Sequence, residues 1–91
     1  MALEIQKVLV ISTGNLSPAT RADMGAAAPG PCIAWDYGWW AWAVPREDRC
    51  DGIETPADLQ AALDLALANG CEWVRFDADA DAAEGLQSWE D

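Results

Sequence analysis

Ninety-one residues, 52% of them hydrophobic, with six tryptophans, no histidine and a net charge of -11, describe one small folded domain spanning residues 1–91. That composition excludes a disordered acidic tail, which has few aromatic residues. It also argues against a direct nucleic-acid binder, which carries a basic footprint. Eleven of the sixteen carboxylates lie between Cys50 and Asp91, where Arg75 is the one base.

Lys7 to Thr13 is a run rich in β-branched residues and predicts a buried strand ended by Gly14-Asn15. Ser17-Pro18 has the form of an N-cap followed by proline at the first helical position. The helix it opens would run to about Ala27, weakened by Gly25 and stopped by Pro29-Gly30-Pro31. Cys32 to Asp36 and Trp39 to Val44 predict a hairpin around Tyr37-Gly38. In its second strand Trp40, Trp42 and Val44 share one face, and Trp39, Ala41 and Ala43 the other. The smaller face is suited to seating a helix.

Thr55-Pro56-Ala57-Asp58 reads as N-cap, first helical residue and a carboxylate in the first turn. The helix should run to about Asn69 and end at Gly70. Leu59, Ala62, Leu63, Ala66 and Leu67 form its buried stripe. Glu72 to Asp77 alternates as a last strand, after which Leu86 and Trp89 should dock back on the domain. The fold class is therefore α+β in the order β-α-β-β-α-β, with an antiparallel or mixed sheet and two helices. That order allows a ferredoxin-like sheet.

The apolar run Val8 to Ile11 is too short for a signal-peptide core and lacks a basic flank. No stretch approaches the roughly 20 apolar residues of a membrane span. A cytoplasmic monomer with no membrane contact is the expectation. Cys32, Cys50 and Cys71 form no CxxC pair and are expected to be reduced thiols, Cys32 and Cys71 buried beside strands.

Catalytic and metal chemistry find little purchase. Read as a calcium loop, Asp77, Asp79 and Asp81 match its early ligand positions, but Ala82 and Ser88 fall where glycine and a bidentate glutamate are needed. Sixteen carboxylates make acid–base pairs inevitable by number alone, so they carry no signal for glycoside hydrolysis. A thiol nucleophile needs a base or a positive neighbourhood, and this chain supplies a negative field. There is no Gly-rich phosphate loop. The expectation is no enzyme, no cofactor and no metal. Trp35, Trp42 and Trp73 are expected in the core. Tyr37, Trp39 and Trp40, close to the hairpin turn, are candidates for a hydrophobic anchor in a protein interface.

An acidic surface can be merely solubilising, but such a surface intersperses both signs, and this one does not. If strand-like, Asp77, Asp79 and Asp81 project from one face roughly 6–7 Å apart. That is of the order of the spacing of phosphates on one nucleic-acid strand. Asp58 and Asp64, with Asp51, Glu54 and Glu84, would supply a second row. Two rows of carboxylates mimic the charge pattern of duplex DNA and would compete for a Lys/Arg-lined channel.

Four stretches carry a family resemblance: Ile11 to Arg21 (ISTGNLSPATR), Tyr37 to Trp39, Pro56 to Leu59 (PADL) and Gly70 to Ala80 (GCEWVRFDADA). They resemble a bacterial and mobile-element family of unknown function. Size, acidity and layout also resemble small anti-CRISPR proteins against type I systems, type I-C in particular. The resemblance implies a double-stranded-DNA mimic on the DNA- or PAM-reading surface of the Cascade effector, where cationic or polar side chains read DNA. It brings no residue-level map, so the site residues rest on the charge reading. The alternatives are an acidic adaptor or antitoxin-like protein that neutralises another basic partner, and a DNA mimic against a restriction system. Genomic neighbours would separate these readings.

Overall fold

In the computed structural model, which describes residues 3–49 and 55–89, the β-branched run near the start forms strand β1 (Val8–Ser12). A 3-10 turn over Thr13–Asn15 ends it. Ser17 caps the next helix as its sequence predicts: its Oγ accepts from the Thr20 N–H at 3.2 Å, with Pro18 just inside. The predicted helix to Ala27 is split into α1 (Pro18–Ala22) and α2 (Met24–Ala27). The break is Asp23, which leaves helical geometry at φ -125°, ψ 19°.

Strands β2 (Cys32–Trp35) and β3 (Gly38–Trp42) form the hairpin. Helix α3 (Ala57–Ala68) follows, and β4 (Trp73–Asp77) closes the sheet. The start of α3 lies one residue later than its sequence suggests. Pro56 occupies the capping position, no side chain caps it, and the buried Thr55 instead uses its carbonyl to accept from Gln60 Nε2 at 2.7 Å. The helix ends as expected. Gly70 takes φ +71°, Cys71 N–H donates to the Ala66 carbonyl at 2.8 Å and Gly70 N–H to that of Leu67 at 3.0 Å. This is a Schellman end.

The strand order is β1-β4-β3-β2, with β1 parallel to β4 and the other pairs antiparallel. The fold is thus a small α+β domain on a mixed sheet. A ferredoxin-like split βαβ needs β3 and β4 parallel with a strand between them. Here they are antiparallel neighbours joined directly in the ladder, so the ferredoxin-like arrangement is not formed.

Register sorts the side chains into two faces. On one, the rows Leu9-Val74-Ala41-Cys32 and Ile11-Phe76-Trp39-Ala34 cross the sheet. Leu59, Ala62, Leu63 and Ala66 of α3, with Leu16, Met24 and Ala27, close over this face to make the core. Small residues at Ala41 and Ala43 let the helix layer approach, as the alternation in β3 anticipates. The other face carries the rows Val8-Trp73-Trp42, Val10-Arg75-Trp40-Ile33 and Ser12-Asp77-Gly38-Trp35. Among the described residues no helix packs on it. Val10 and Ile33, at the two ends of the middle row, are 41% and 58% exposed.

Trp35, Trp42 and Trp73, expected in the core, therefore stand half-buried on the open face. Trp39 does the reverse and packs against the core. Cys32 and Cys71 are free thiols, half-buried rather than buried; desolvation raises the Cys32 pKa above its ordinary value. Cys50 lies outside the described residues.

Candidate functional site

Two features of the surface stand out, an acidic end and an aromatic face, and they meet where β4 leaves the sheet. The main chain builds the acidic end. Ala78 N–H donates to the Tyr37 carbonyl at 2.8 Å, which binds the start of the tail to the tip of the β2–β3 hairpin. Ser12 N–H donates to the Asp81 carbonyl at 3.2 Å, which binds it to the end of β1. Asn15, 1% exposed, fixes the segment beyond: its Oδ1 accepts from Ala83 N–H at 2.8 Å and its Nδ2 donates to the Gln87 carbonyl at 3.1 Å. Trp89 N–H reaches the Gly14 carbonyl at 2.7 Å, and Leu86 packs on the core, so both residues dock back as expected.

The predicted carboxylates separate into three groups. Asp79, Asp81 and Glu84 are exposed at this end, joined by Asp36 in the hairpin turn. Asp77 is half-buried at the last position of β4. Its Oδ1 accepts from Asp79 N–H at 2.9 Å, an Asx turn, and its Oδ2 lies 3.7 Å from an Arg75 guanidinium nitrogen. Because β4 stops at Asp77, residues 77, 79 and 81 do not form the strand-like row of the sequence reading; they curve round a turn.

Asp58 and Asp64 form a different group: both accept hydrogen bonds from other side chains or main chain of the domain. Asp58 accepts from Ser17 N–H at 2.8 Å and Thr20 Oγ1 at 3.0 Å, tying α3 to the first turn of α1. Asp64 accepts from Arg46 Nε at 3.1 Å and from Arg49 at 2.9 Å. The hydrogen bond from Arg46, ahead of that from Arg49, holds its carboxyl below the usual range. The two described residues of the second row thus already have partners within the chain. Asp51 and Glu54 lie outside the described residues.

The aromatic face has its own order. Arg75 lies between two indoles, its guanidinium carbon 5.6 Å from the ring centres of both Trp35 and Trp40. Beside it Trp73 meets Trp42 edge to face at 5.0 Å and Trp40 at 6.2 Å. Trp73 Nε1 donates to Gln6 Oε1 at 3.0 Å. Tyr37, 52% exposed, meets Trp35 edge to face at 5.2 Å. Of the three anchors named from sequence, Tyr37 and Trp40 belong to this surface, and Trp39 does not.

Sequence reasoning missed Asp36, Trp35, Trp42 and Trp73 as surface residues. The alternation in β3 was the available signal, since it sets Trp40 and Trp42 on the same side. A recess of about 390 Å³ behind the hairpin tip is lined by Arg21, Asp36, Tyr37 and neighbours, and another of about 310 Å³ by Asn15, Asp58, Trp89 and others. Among the described residues no group of three carboxylates or thiols is placed to hold a metal ion, and no helix is long and apolar enough to cross a membrane.

The fold and surface define a small α+β domain with one helix-covered sheet face, one bare aromatic face and an acidic end. The chain belongs to the family described as "Family of unknown function (DUF5983) C-terminal domain", which matches residues 8–91. No curated protein and no solved structure matches it.

Proposed function

We propose that this domain is a non-catalytic binding module that occupies a cationic, DNA-reading surface of a protein partner. The observation behind this reading is the acidic end: Asp36, Asp79, Asp81 and Glu84 are exposed on segments pinned by two main-chain hydrogen bonds and by the Asn15 side chain. A rigid cluster of like charge costs self-repulsion in the free protein and is relieved by a basic surface. Phosphate-reading sites are such surfaces, and much of their affinity is electrostatic. A carboxylate cluster therefore competes with DNA without copying a base. The particular partner proposed is the DNA- or PAM-reading surface of a type I Cascade effector, type I-C first, in the cytoplasm of a bacterial host. The domain would thereby act as an anti-CRISPR inhibitor.

The residues proposed to contribute are Asp79, Asp81, Glu84 and Asp36, all exposed, with Asp77 accepting from Asp79 N–H in the turn that carries them. The test is competition between the protein and labelled target duplex for purified type I-C Cascade at two salt concentrations. Duplex binding should fall as the protein is added, and less so at the higher salt. An Asp79→Asn, Asp81→Asn, Glu84→Gln triple variant should lose about tenfold or more in potency, given the 1.4 kcal/mol that a tenfold change represents. Unchanged duplex binding with the native protein sinks the Cascade assignment, and full potency in the folded triple variant sinks the acidic end as the site.

A further inference from the structure

The open face of the sheet is a second feature that the acidic end does not explain. Aromatic side chains carry large apolar area that dominates the energetics of cores and interfaces. Here Trp35, Trp40, Trp42 and Trp73 share a face that no described helix covers, while the helix layer closes over the face with Ala41. Val10, Ile33 and Tyr37 stand exposed around these half-buried indoles, and exposed apolar side chains gathered on one face mark an interaction site. Its rigid indoles are the residue type that dominates binding energy at interfaces.

We propose that this face seats a protein segment that presents arginine beside aliphatic side chains. The reading rests on the partner being basic, as above, and adds where its cationic and apolar groups lodge. Two observations choose this occupant. First, the face already holds a guanidinium: Arg75 stacks between Trp35 and Trp40. The Trp42–Trp73 half has the same indole chemistry with no cation of its own on the described strands. Second, the net charge of -11 and the electron-rich ring faces favour a cation over phosphate or carboxylate, and repel a second copy of the chain. Val10 and Ile33, exposed at either end of the middle row, take the aliphatic side chains.

The test uses the full chain labelled with nitrogen-15 and reads its indole N–H signals. The first probe is a blocked peptide of alternating arginine and leucine; the second replaces arginine with glutamate. The Arg-Leu peptide should shift the signals of Trp40, Trp42 and Trp73 saturably and leave that of Trp89 in place. An Ile33→Ser, Val10→Ser double variant, changed only at exposed positions, should bind the peptide at least tenfold more weakly. The triple variant of the acidic end should bind more weakly but keep the same pattern of indole shifts. Shifts confined to the backbone of residues 77–84 would overturn the aromatic seat and leave the basic-partner reading standing. Equal shifts with the Glu-Leu peptide would overturn the choice of cation. Indole shifts that depend on protein concentration without peptide would make the face a contact between copies, and would also overturn the proposal. No shift anywhere would count against both readings.

Discussion

At the scale of single residues, the polar groups that matter most are those the fold uses internally. Asn15 has both ends of its amide bonded to the main chain of the tail, at Ala83 and Gln87. Replacing it with alanine leaves those groups without partners in a region where Asn15 itself is 1% exposed. A buried unsatisfied group costs about 1–3 kcal/mol. Asn15→Ala should therefore lower the unfolding free energy read from urea titration by that order, and hydrogen exchange should quicken first at Ala83 and Trp89. Asp64 makes a pH prediction. Its carboxyl is held below the usual range by hydrogen bonds from Arg46 and Arg49. A depressed pKa means that the folded state favours the ionised form, so the contribution is present above the unfolded pKa and disappears as pH falls through the lower folded value. Asp64→Asn should be less stable than the native protein near neutrality. The gap should close in acid; a gap of constant size across the titration would refute the linkage. Neither role could be read from sequence. Asp58 and Asp64 look like free surface carboxylates on a helix until Ser17, Thr20, Arg46 and Arg49 are brought to them across the fold.

At the scale of elements, glycines at two positions show how local and tertiary demands differ. At Gly70 a Cβ would meet nothing, and the residue is needed only for its φ of +71°. Gly70→Ala should cost about 1–2 kcal/mol, the penalty of left-handed backbone for a residue with a Cβ. At Gly38 a Cβ would lie 1.9 Å from the Phe76 carbonyl oxygen and 2.8 Å from its carbon. Both are main-chain atoms of β4, so relief requires the β3–β4 ladder to move. Gly38→Ala should cost at least the upper end of the roughly 1–3 kcal/mol typical of overpacking. Thermal unfolding of the two variants side by side checks the order; equal losses would mean that β3 shifts freely. The C-terminal end of α3 was legible because Asn69-Gly70 is a local signal and its hydrogen bonds are local. Its N-terminal end was legible only to within a residue, because threonine before proline can cap a helix or, as here, stand one place outside it. The split at Asp23 had only Gly25 as a warning.

At the scale of the whole molecule, charge and layering decide how the protein meets a partner. A net charge of -11 acts over a Debye length of about 8 Å at physiological salt. Association with a basic surface should be fast at low salt and slow steeply as salt rises, while dissociation from the tryptophan face should respond little. Stopped-flow tryptophan fluorescence at several salt concentrations separates the two. A salt-insensitive association rate would remove electrostatic steering from the account. The acidic bias, the α+β class, the four strands and the buried stripe of α3 follow from the sequence alone. Counts of charge are independent of geometry, and the periods of apolar residues report local structure directly. Only the tertiary structure decided that β4 lies between β1 and β3, that Trp40, Trp42 and Trp73 look outward, and that Asp58 and Asp64 are engaged. Alternation along a strand says that its two faces differ, but not which one the helices cover. The pairing of a carboxylate depends on groups 15 to 41 residues away, which come together only when the sheet and helices pack.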